Sequence, residues 1–116
     1  MFEKNMKYSY LLDVYGNLLD DHSAAIMRAY YEDDLSLSEI ADGEDISRQG
    51  VRHIIKKSEE QLDHLEQRLK LTDHYAELAQ LAEQILDLSL GLESGNTSRE
   101  GAAAAMRIIA NKLSDK

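Results

Sequence analysis

The sequence predicts an all-α protein, and three observations support this prediction. It contains no proline, and apolar residues make up 43% of its 116 residues, enough for a core in one domain or in a small domain with an appendage. These apolar residues recur at spacings of three and four along most of the chain, which is the period of a helix with one buried face. Two Ser/Thr-x-x-Glu sequences, at residues 36–39 and 97–100, have the form of a helix-opening capping box.

The first two helices are predicted on either side of a turn at Gly16 and Asn17. The first covers Tyr8–Tyr15. Asp20 is placed to cap the second helix, because its carboxylate can accept a hydrogen bond from a free amide of the first turn. The second helix ends at three consecutive acids, residues 32–34. The predicted buried stripes are Tyr8, Leu11, Leu12 and Tyr15 in the first helix, and Ala25, Ile26, Ala29 and Tyr30 in the second.

Two further helices are predicted around a turn at residues 43–45. Ser36 and Glu39 form the capping box that opens a short helix from Leu37 to about Asp42. Ser47 is placed to cap the next helix, which continues for about six turns. Its apolar stripe consists of Val51, Ile54, Ile55, Ser58, Leu62, Leu65 and Leu69.

The C-terminal part of the chain predicts two more helices. Leu71 and Thr72 interrupt the pattern, with Thr72 as the cap of the next helix, and Thr97 opens a final helix over Ala102–Leu113. The leucine stripe of residues 62–92 is longer than a head of about 45 residues can cover. We therefore divide the chain into a helix-turn-helix domain over residues 1–60 and a helical extension over residues 61–116 that forms a homodimer.

Charge is distributed unevenly along this acidic chain. The net charge is −9, from 13 basic and 22 acidic side chains. Residues 46–58 nevertheless carry four basic side chains and no acidic one, whereas the segments on either side are both net negative. A basic helix within an acidic body predicts a directed contact with an anion rather than general adhesion to polyanions.

The same region has the spacing of a helix-turn-helix unit, in which apolar residues at fixed offsets let two short helices cross closely. With Leu37 as the first position, positions four, five, ten, fifteen and eighteen are Ile40, Ala41, Ile46, Val51 and Ile54. The positions that face away from the core hold side chains that can donate hydrogen bonds to a phosphate or to a base edge. The predicted DNA-binding residues are Ser47, Arg48, Gln49, Arg52, His53, Lys56 and Lys57.

At these residues the chain resembles a known family. The segment YYEDDLSLSEIA of residues 30–41, followed by ISRQGV of residues 46–51, is similar to the YlxM family. The resemblance covers residues 8–70 most strongly. It implies a small bacterial helix-turn-helix protein like region four of sigma factors, related to winged-helix proteins but without a wing. Because family members tend to be encoded beside the genes of the signal-recognition-particle GTPases, it also implies a regulatory link to that pathway.

Two features depart from the family pattern. The turn usually holds a large apolar residue followed by a glycine in the left-handed conformation, and here these places hold Glu44 and Asp45. With Glu44 at this place the turn lacks its apolar anchor, and the carboxylates of both residues would repel DNA. Gly50 lies inside the helix that Ser47 caps, which is the recognition helix of the unit. A glycine there lowers helix stability by up to about 1 kcal/mol relative to alanine. These departures leave the fold intact and predict weak DNA binding.

Other functional classes find little support in the sequence. Histidines 22, 53, 64 and 74 lack the spacing of a metal-binding motif, so we expect no metal and no cofactor. The acid pairs at residues 20–21 and 33–34 flank helix ends, where capping explains them, and no nucleophile, phosphate-loop or dinucleotide motif is present. We expect no enzyme activity. The sequence shows neither a membrane span nor a signal peptide, which predicts a cytoplasmic protein.

Three hypotheses remain. The first is a dimeric DNA-binding regulator in which Arg48, Gln49 and Arg52 contact bases. The second is an adaptor that binds the protein or the RNA of the signal recognition particle through its basic face or its acidic body. The third is a structural dimer whose recognition helix binds nothing. Charge around the recognition helix separates them, since neutralisation by Asp42, Glu44 and Asp45 would favour the adaptor.

Overall fold

The computed structural model describes residues 4–115, and within this range it confirms the all-α fold. Six α-helices follow one another, with a 3₁₀ turn at Gly16–Leu18 between the first two. Their bounds are α1 Met6–Tyr15, α2 Asp21–Tyr31, α3 Leu37–Glu44, α4 Arg48–Leu69, α5 Leu71–Ser94 and α6 Arg99–Ser114. The chain divides into two compact units, Met1–Leu71 and Thr72–Lys116.

Short side chains cap five of the six helices, α1 to α4 and α6, because each accepts a hydrogen bond from an otherwise free amide. The Asp20 carboxylate accepts from Ser23 N at 2.8 Å, and Ser36 and Glu39 form the predicted capping box that opens α3. The Ser98 hydroxyl, rather than that of Thr97, caps α6, which therefore begins earlier than predicted. Thr72 lies inside the first turn of α5, because that helix begins immediately after Lys70, whose backbone is left-handed.

The core of the first unit is aliphatic and tyrosine-rich. It joins residues of α1, α2, α3 and α4 and the loop residue Leu19. The inward face of α2 differs from the prediction: Ala25 is exposed, whereas Ala24 and Met27 are buried with Tyr30 and Tyr31. Ala24, Met27 and Tyr31 follow the three-and-four spacing of one helix face, and Ala25 lies off that face.

The second half of α4 belongs to the first unit. Leu62 has no exposed surface, and Leu65 packs partly buried against the same core. Only Leu69, which is 49% exposed, remains uncovered among the three distal leucines of this helix. The compact unit therefore extends to Leu71, about three helical turns beyond residue 60, where the sequence pattern placed the boundary.

Tyrosine hydroxyls bind this half of α4 to the rest of the unit. Tyr8 donates to Asp63 at 2.6 Å, Tyr15 donates to Glu66 at 3.3 Å, and Tyr31 donates to Glu59. The Tyr15 hydroxyl also accepts from the backbone amide of Leu71 at 2.9 Å. Three acids on one helix face thus serve as acceptors, and the tyrosines fix the position of the second half of α4.

Tyr31→Phe tests this arrangement. Burial and the hydrogen bond to Glu59 raise the pKa of Tyr31 far above its ordinary value, so the hydroxyl keeps its proton and donates at every working pH. Losing a hydrogen bond to a charged group should lower the free energy of unfolding by about 1.5–3 kcal/mol in urea denaturation. Tyr10→Phe is the control, because Tyr10 is 47% exposed; equal effects of the two changes would contradict the interpretation.

The second unit is a pair of helices, α5 and α6, with a small buried core. Its buried residues among those described are Leu81, Ala102 and Ile109. Gly91 lies against the loop that joins the two helices, where a Cβ atom would come within 2.2 Å of Thr97 Oγ1. None of the helices within residues 4–115 is long and apolar enough to cross a membrane.

Candidate nucleic-acid interface

Helices α3 and α4 form a helix-turn-helix with the predicted packing. Ile40, Ala41 and Val51 are at most 5% exposed. The remaining predicted positions, Leu37, Ile46 and Ile54, pack partly buried against the same core. The small side chain of Ala41 lies where the sequence pattern requires close approach of the two helices. The Ile46 amide closes the turn by donating to the carbonyl of Ala41 at 3.1 Å.

The turn between the two helices has the left-handed residue that the sequence indicated. Asp45 adopts φ 56° and ψ 43°, a conformation that aspartate tolerates better than most residues. Glu44 is the last residue of α3 and points outward, so its side chain does not fill a buried place under the turn. Its carboxylate lies 3.2 Å from His22 Nε2, at the start of α2.

The predicted site residues come together on one side of α4. Val51, Ile55 and Ser58 turn into the core, and all seven predicted site residues are exposed. Ser47 caps the helix by accepting from the Gly50 amide at 2.9 Å, and its hydroxyl hydrogen stays available for donation. The predicted residues span the cap and the first three turns: Ser47, Arg48, Gln49, Arg52, His53, Lys56 and Lys57.

Within this set Lys57 occupies a separate position. It lines a surface hollow together with Asp20 and Ser23, on the side of α4 that faces the start of α2. The other basic residues follow the outward helical spacing from Arg48 through Arg52 to Lys56. The name basic face is used below for Arg48, Gln49, Arg52, His53 and Lys56.

Acidic residues bound the basic face at both ends. Beyond Ser58 the helix continues with Glu59 and Asp63, which accept hydrogen bonds from tyrosines. Before Ser47 lie three exposed acids, Asp42, Glu44 and Asp45. The tyrosine contacts could not be predicted from the sequence. An acid on a helix surface has the same place in the sequence pattern whether it is exposed to water or accepts a hydrogen bond from a distant tyrosine. The basic face is therefore about three turns long and flanked by negative charge.

Gly50 has a local reason to be glycine. A Cβ atom at this position would lie 3.2 Å from Ser47 Oγ, which is the oxygen that caps the helix. The glycine therefore leaves room for the cap and offsets part of the cost of its own low helix propensity. Within residues 4–115 no group of three or more histidine, aspartate or glutamate side chains could hold a metal ion.

Comparison with known proteins agrees with this geometry. The family model described as "Putative helix-turn-helix protein, YlxM / p13 like" matches residues 2–100. A UPF0122 protein of Shouchella clausii is 43% identical over 75 residues, which are 65% of this chain and 69% of that protein. A UPF0122 protein of Bacillus velezensis is 37% identical over 91 residues, covering 78% of this chain and 83% of the relative.

A third relative is similar over a comparable length. A UPF0122 protein of Bacillus cereus is 40% identical over 88 residues, which cover 76% of this chain and 80% of that protein. The family match itself spans α1 to the start of α6. The first unit with its α3–α4 pair, and most of the second unit, therefore share one ancestry with these proteins. The chain belongs to the UPF0122 family of YlxM/p13-like helix-turn-helix proteins.

Proposed function

We propose that the first unit binds duplex DNA through the basic face and acts as a regulator. The observation that carries this proposal is the composition of the outward side of α4. The helix presented by the α3–α4 crossing exposes only donors and amphoteric groups over three turns, in a chain of net charge −9. A chance solvated face of so acidic a protein would be expected to include acids.

Position along the helix suggests the roles of the residues. Arg48 and Gln49 lie in its first turn, where recognition helices enter the major groove, and Arg52 follows one turn later. Arginine can donate two bonds to guanine and glutamine two to adenine, so these three residues are proposed to contact bases. The remaining site residues are proposed to position the helix on phosphates: Ser47, His53, Lys56 and Lys57.

We further propose that the protein acts as a homodimer. Helix-turn-helix proteins commonly bind two half-sites one DNA turn apart, and a two-fold dimer presents two recognition helices with matching symmetry. One three-turn basic face offers few contacts, so a single copy would bind weakly. The second unit, which lies outside the helix-turn-helix, is the proposed site of dimerisation.

Titration of a labelled duplex pool tests DNA binding. The expected result is binding at about 50 mM salt that weakens steeply toward about 200 mM, since each phosphate contact releases counterions. Circular dichroism verifies that helicity is the same in both buffers. Absence of binding at the lower salt concentration, with helicity intact, would overturn the proposal.

Removing two negative charges at the turn should strengthen DNA binding. Glu44→Gln with Asp45→Asn preserves side-chain size, and asparagine also tolerates the left-handed conformation of residue 45. Each like-charge contact costs a few tenths to about 1 kcal/mol, so we expect roughly three- to tenfold tighter binding. Asp87→Asn with Glu93→Gln in α5 makes the same change in net charge. If both pairs act equally, overall charge rather than the turn determines the affinity.

A second candidate function is an adaptor for the signal recognition particle, as the family resemblance implies. The acids at residues 42, 44 and 45 favour it, because they lie beside the first turn of α4 and oppose a DNA backbone. Purification of bound nucleic acid and protein from cells compares the two candidates, with Arg48→Ala/Arg52→Ala as control. Recovery of particle RNA or protein without DNA would favour the adaptor, and recovery of neither would favour a purely structural dimer.

A further inference from the structure

The second unit exposes large apolar side chains along one side of its helix pair. Ile85 and Leu86 of α5 are 47% and 57% exposed, and Met106 and Leu113 of α6 are 47% and 40% exposed. The small exposed residues Ala82 and Ala110 lie between them at helical spacing. The name apolar face is used below for Ala82, Ile85, Leu86, Met106, Ala110 and Leu113.

The opposite side of the same helix pair is different in character. Gln80 and Gln84 of α5 line a surface hollow there with Lys112 of α6, and Ile108 lines the neighbouring hollow. That side mixes polar and charged groups with Ile108, which is 56% exposed, whereas the residues of the apolar face include no charged side chain. A contiguous apolar surface of several hundred Å² on a small protein marks an interaction site.

We propose that the apolar face binds the apolar face of a second copy, with α5 of one protomer lying on α6 of its partner in a four-helix bundle. This inference rests on the proposed homodimer and identifies its surface and orientation. Tyr75, Leu90 and Leu92 add further exposed apolar area on α5.

Charge complementarity identifies the second copy as the occupant. Helix α5 carries five acidic and no basic residues, whereas α6 carries three basic residues and one acidic residue. Pairing α5 with a second α5 would bring like charges together. Pairing α5 with the α6 of another protomer brings opposite charges together twice in one two-fold interface.

The register of the helix pair makes this pairing specific. The helices are antiparallel: Lys112 lines a hollow with Gln80, and Ala105 lines one with Leu88. Residue 107 therefore lies level with residues 85 and 86, within one helical turn of Glu83. A two-fold axis parallel to the helices places α5 of one protomer beside α6 of its partner, at the same height along the bundle. Glu83 then lies near the partner's Arg107. Both are exposed, and each lies three residues before a member of the apolar face, Glu83 before Leu86 and Arg107 before Ala110, so each flanks that face on its own helix.

Charge exchange between Glu83 and Arg107 tests the proposal in the full chain. Glu83→Arg and Arg107→Glu should each weaken self-association at least severalfold in analytical ultracentrifugation, because each places two like-charge pairs in the interface. An equimolar mixture of the two variants should form the heterodimer in preference to either homodimer, since every pair is then attractive. The double variant Glu83→Arg/Arg107→Glu should regain wild-type association. Failure of the mixture to form a heterodimer would overturn the orientation.

Two substitutions on α6 test which side of the helix pair is the interface. Met106→Glu and Ile108→Glu introduce the same charge at exposed positions two residues apart, on different sides of the helix. Met106→Glu should give a folded monomer at micromolar concentration, and Ile108→Glu should leave the dimer intact. The reverse result, or a wild-type protein that is monomeric, would overturn the proposal. Because these measurements contain no DNA, they can succeed or fail independently of DNA binding.

Discussion

Leu62→Ala is expected to lower the free energy of unfolding by about 2–5 kcal/mol, the range found for leucine removal from closely packed cores. Leu62 has no exposed surface, and it lies about one and a half turns beyond Lys57, the last of the predicted DNA-binding residues. Its surroundings are held in place by the tyrosine hydrogen bonds to Asp63 and Glu66, so the cavity cannot close cheaply. Urea denaturation followed by circular dichroism measures the change.

Leu69→Ala is the matched control for this prediction. It removes the same atoms from the same helix two turns later, where the side chain is 49% exposed. We expect a change within about 1 kcal/mol, since little packing is lost. Similar effects of the two substitutions would show that the distal part of α4 is not fixed to the first unit, and the boundary near residue 60 would then describe the chain better.

The helix-turn-helix could be predicted from the sequence because its determinants are local. The capping box at Ser36 and Glu39, the cap at Ser47 and the small residue Ala41 each act over a few residues, and their spacing specifies the geometry. The left-handed Asp45 was likewise identified from its place in the turn. The placement of the basic residues in the sequence also predicts which side of α4 faces away from the core.

Interactions between distant residues escaped the sequence analysis. Tyr8 and Asp63 are 55 residues apart, and only the folded unit shows that they pair and extend the first unit to residue 71. Ala25 was expected inside because it is apolar, yet a single alanine gains little from burial, and the larger Met27 determined the inward face. Glu44 was expected over a buried place, and its contact with His22 depends on the tertiary approach of α2.

The leucine stripe that runs through residues 62–92 in the sequence consists of two separate parts in the structure. The stripe of α4 is covered within its own unit as far as Leu65, so it provides no argument for a partner. The stripe of α5 is different, because Leu81 is its one buried residue among those described. The case for a homodimer therefore rests on the second unit alone. Periodicity in the sequence does not show which of two apolar stripes is covered by other residues of the same chain.

Arg48→Ala/Arg52→Ala is expected to weaken DNA binding by at least tenfold while leaving the fold intact. Both side chains are exposed on the first two turns of α4, so their removal costs little packing. Each bidentate contact between an arginine and a base contributes about 1–3 kcal/mol of discrimination, and each phosphate contact contributes nearly one unit to the salt dependence. The double variant should therefore lose affinity and sequence preference, whereas its dependence on salt should stay close to that of the wild type, because the proposed phosphate contacts of Ser47, His53, Lys56 and Lys57 remain.

Arg68→Ala/Lys112→Ala separates a local effect from a general one. It also removes two exposed positive charges, giving the same net charge, but these lie in the last turns of α4 and α6. We expect its DNA affinity to stay within about twofold of the wild type at moderate salt, because screening limits the reach of exposed charges to about 10 Å. If this pair weakens binding as much as the Arg48/Arg52 pair, the contact with DNA is diffuse, and α4 does not act as a recognition helix.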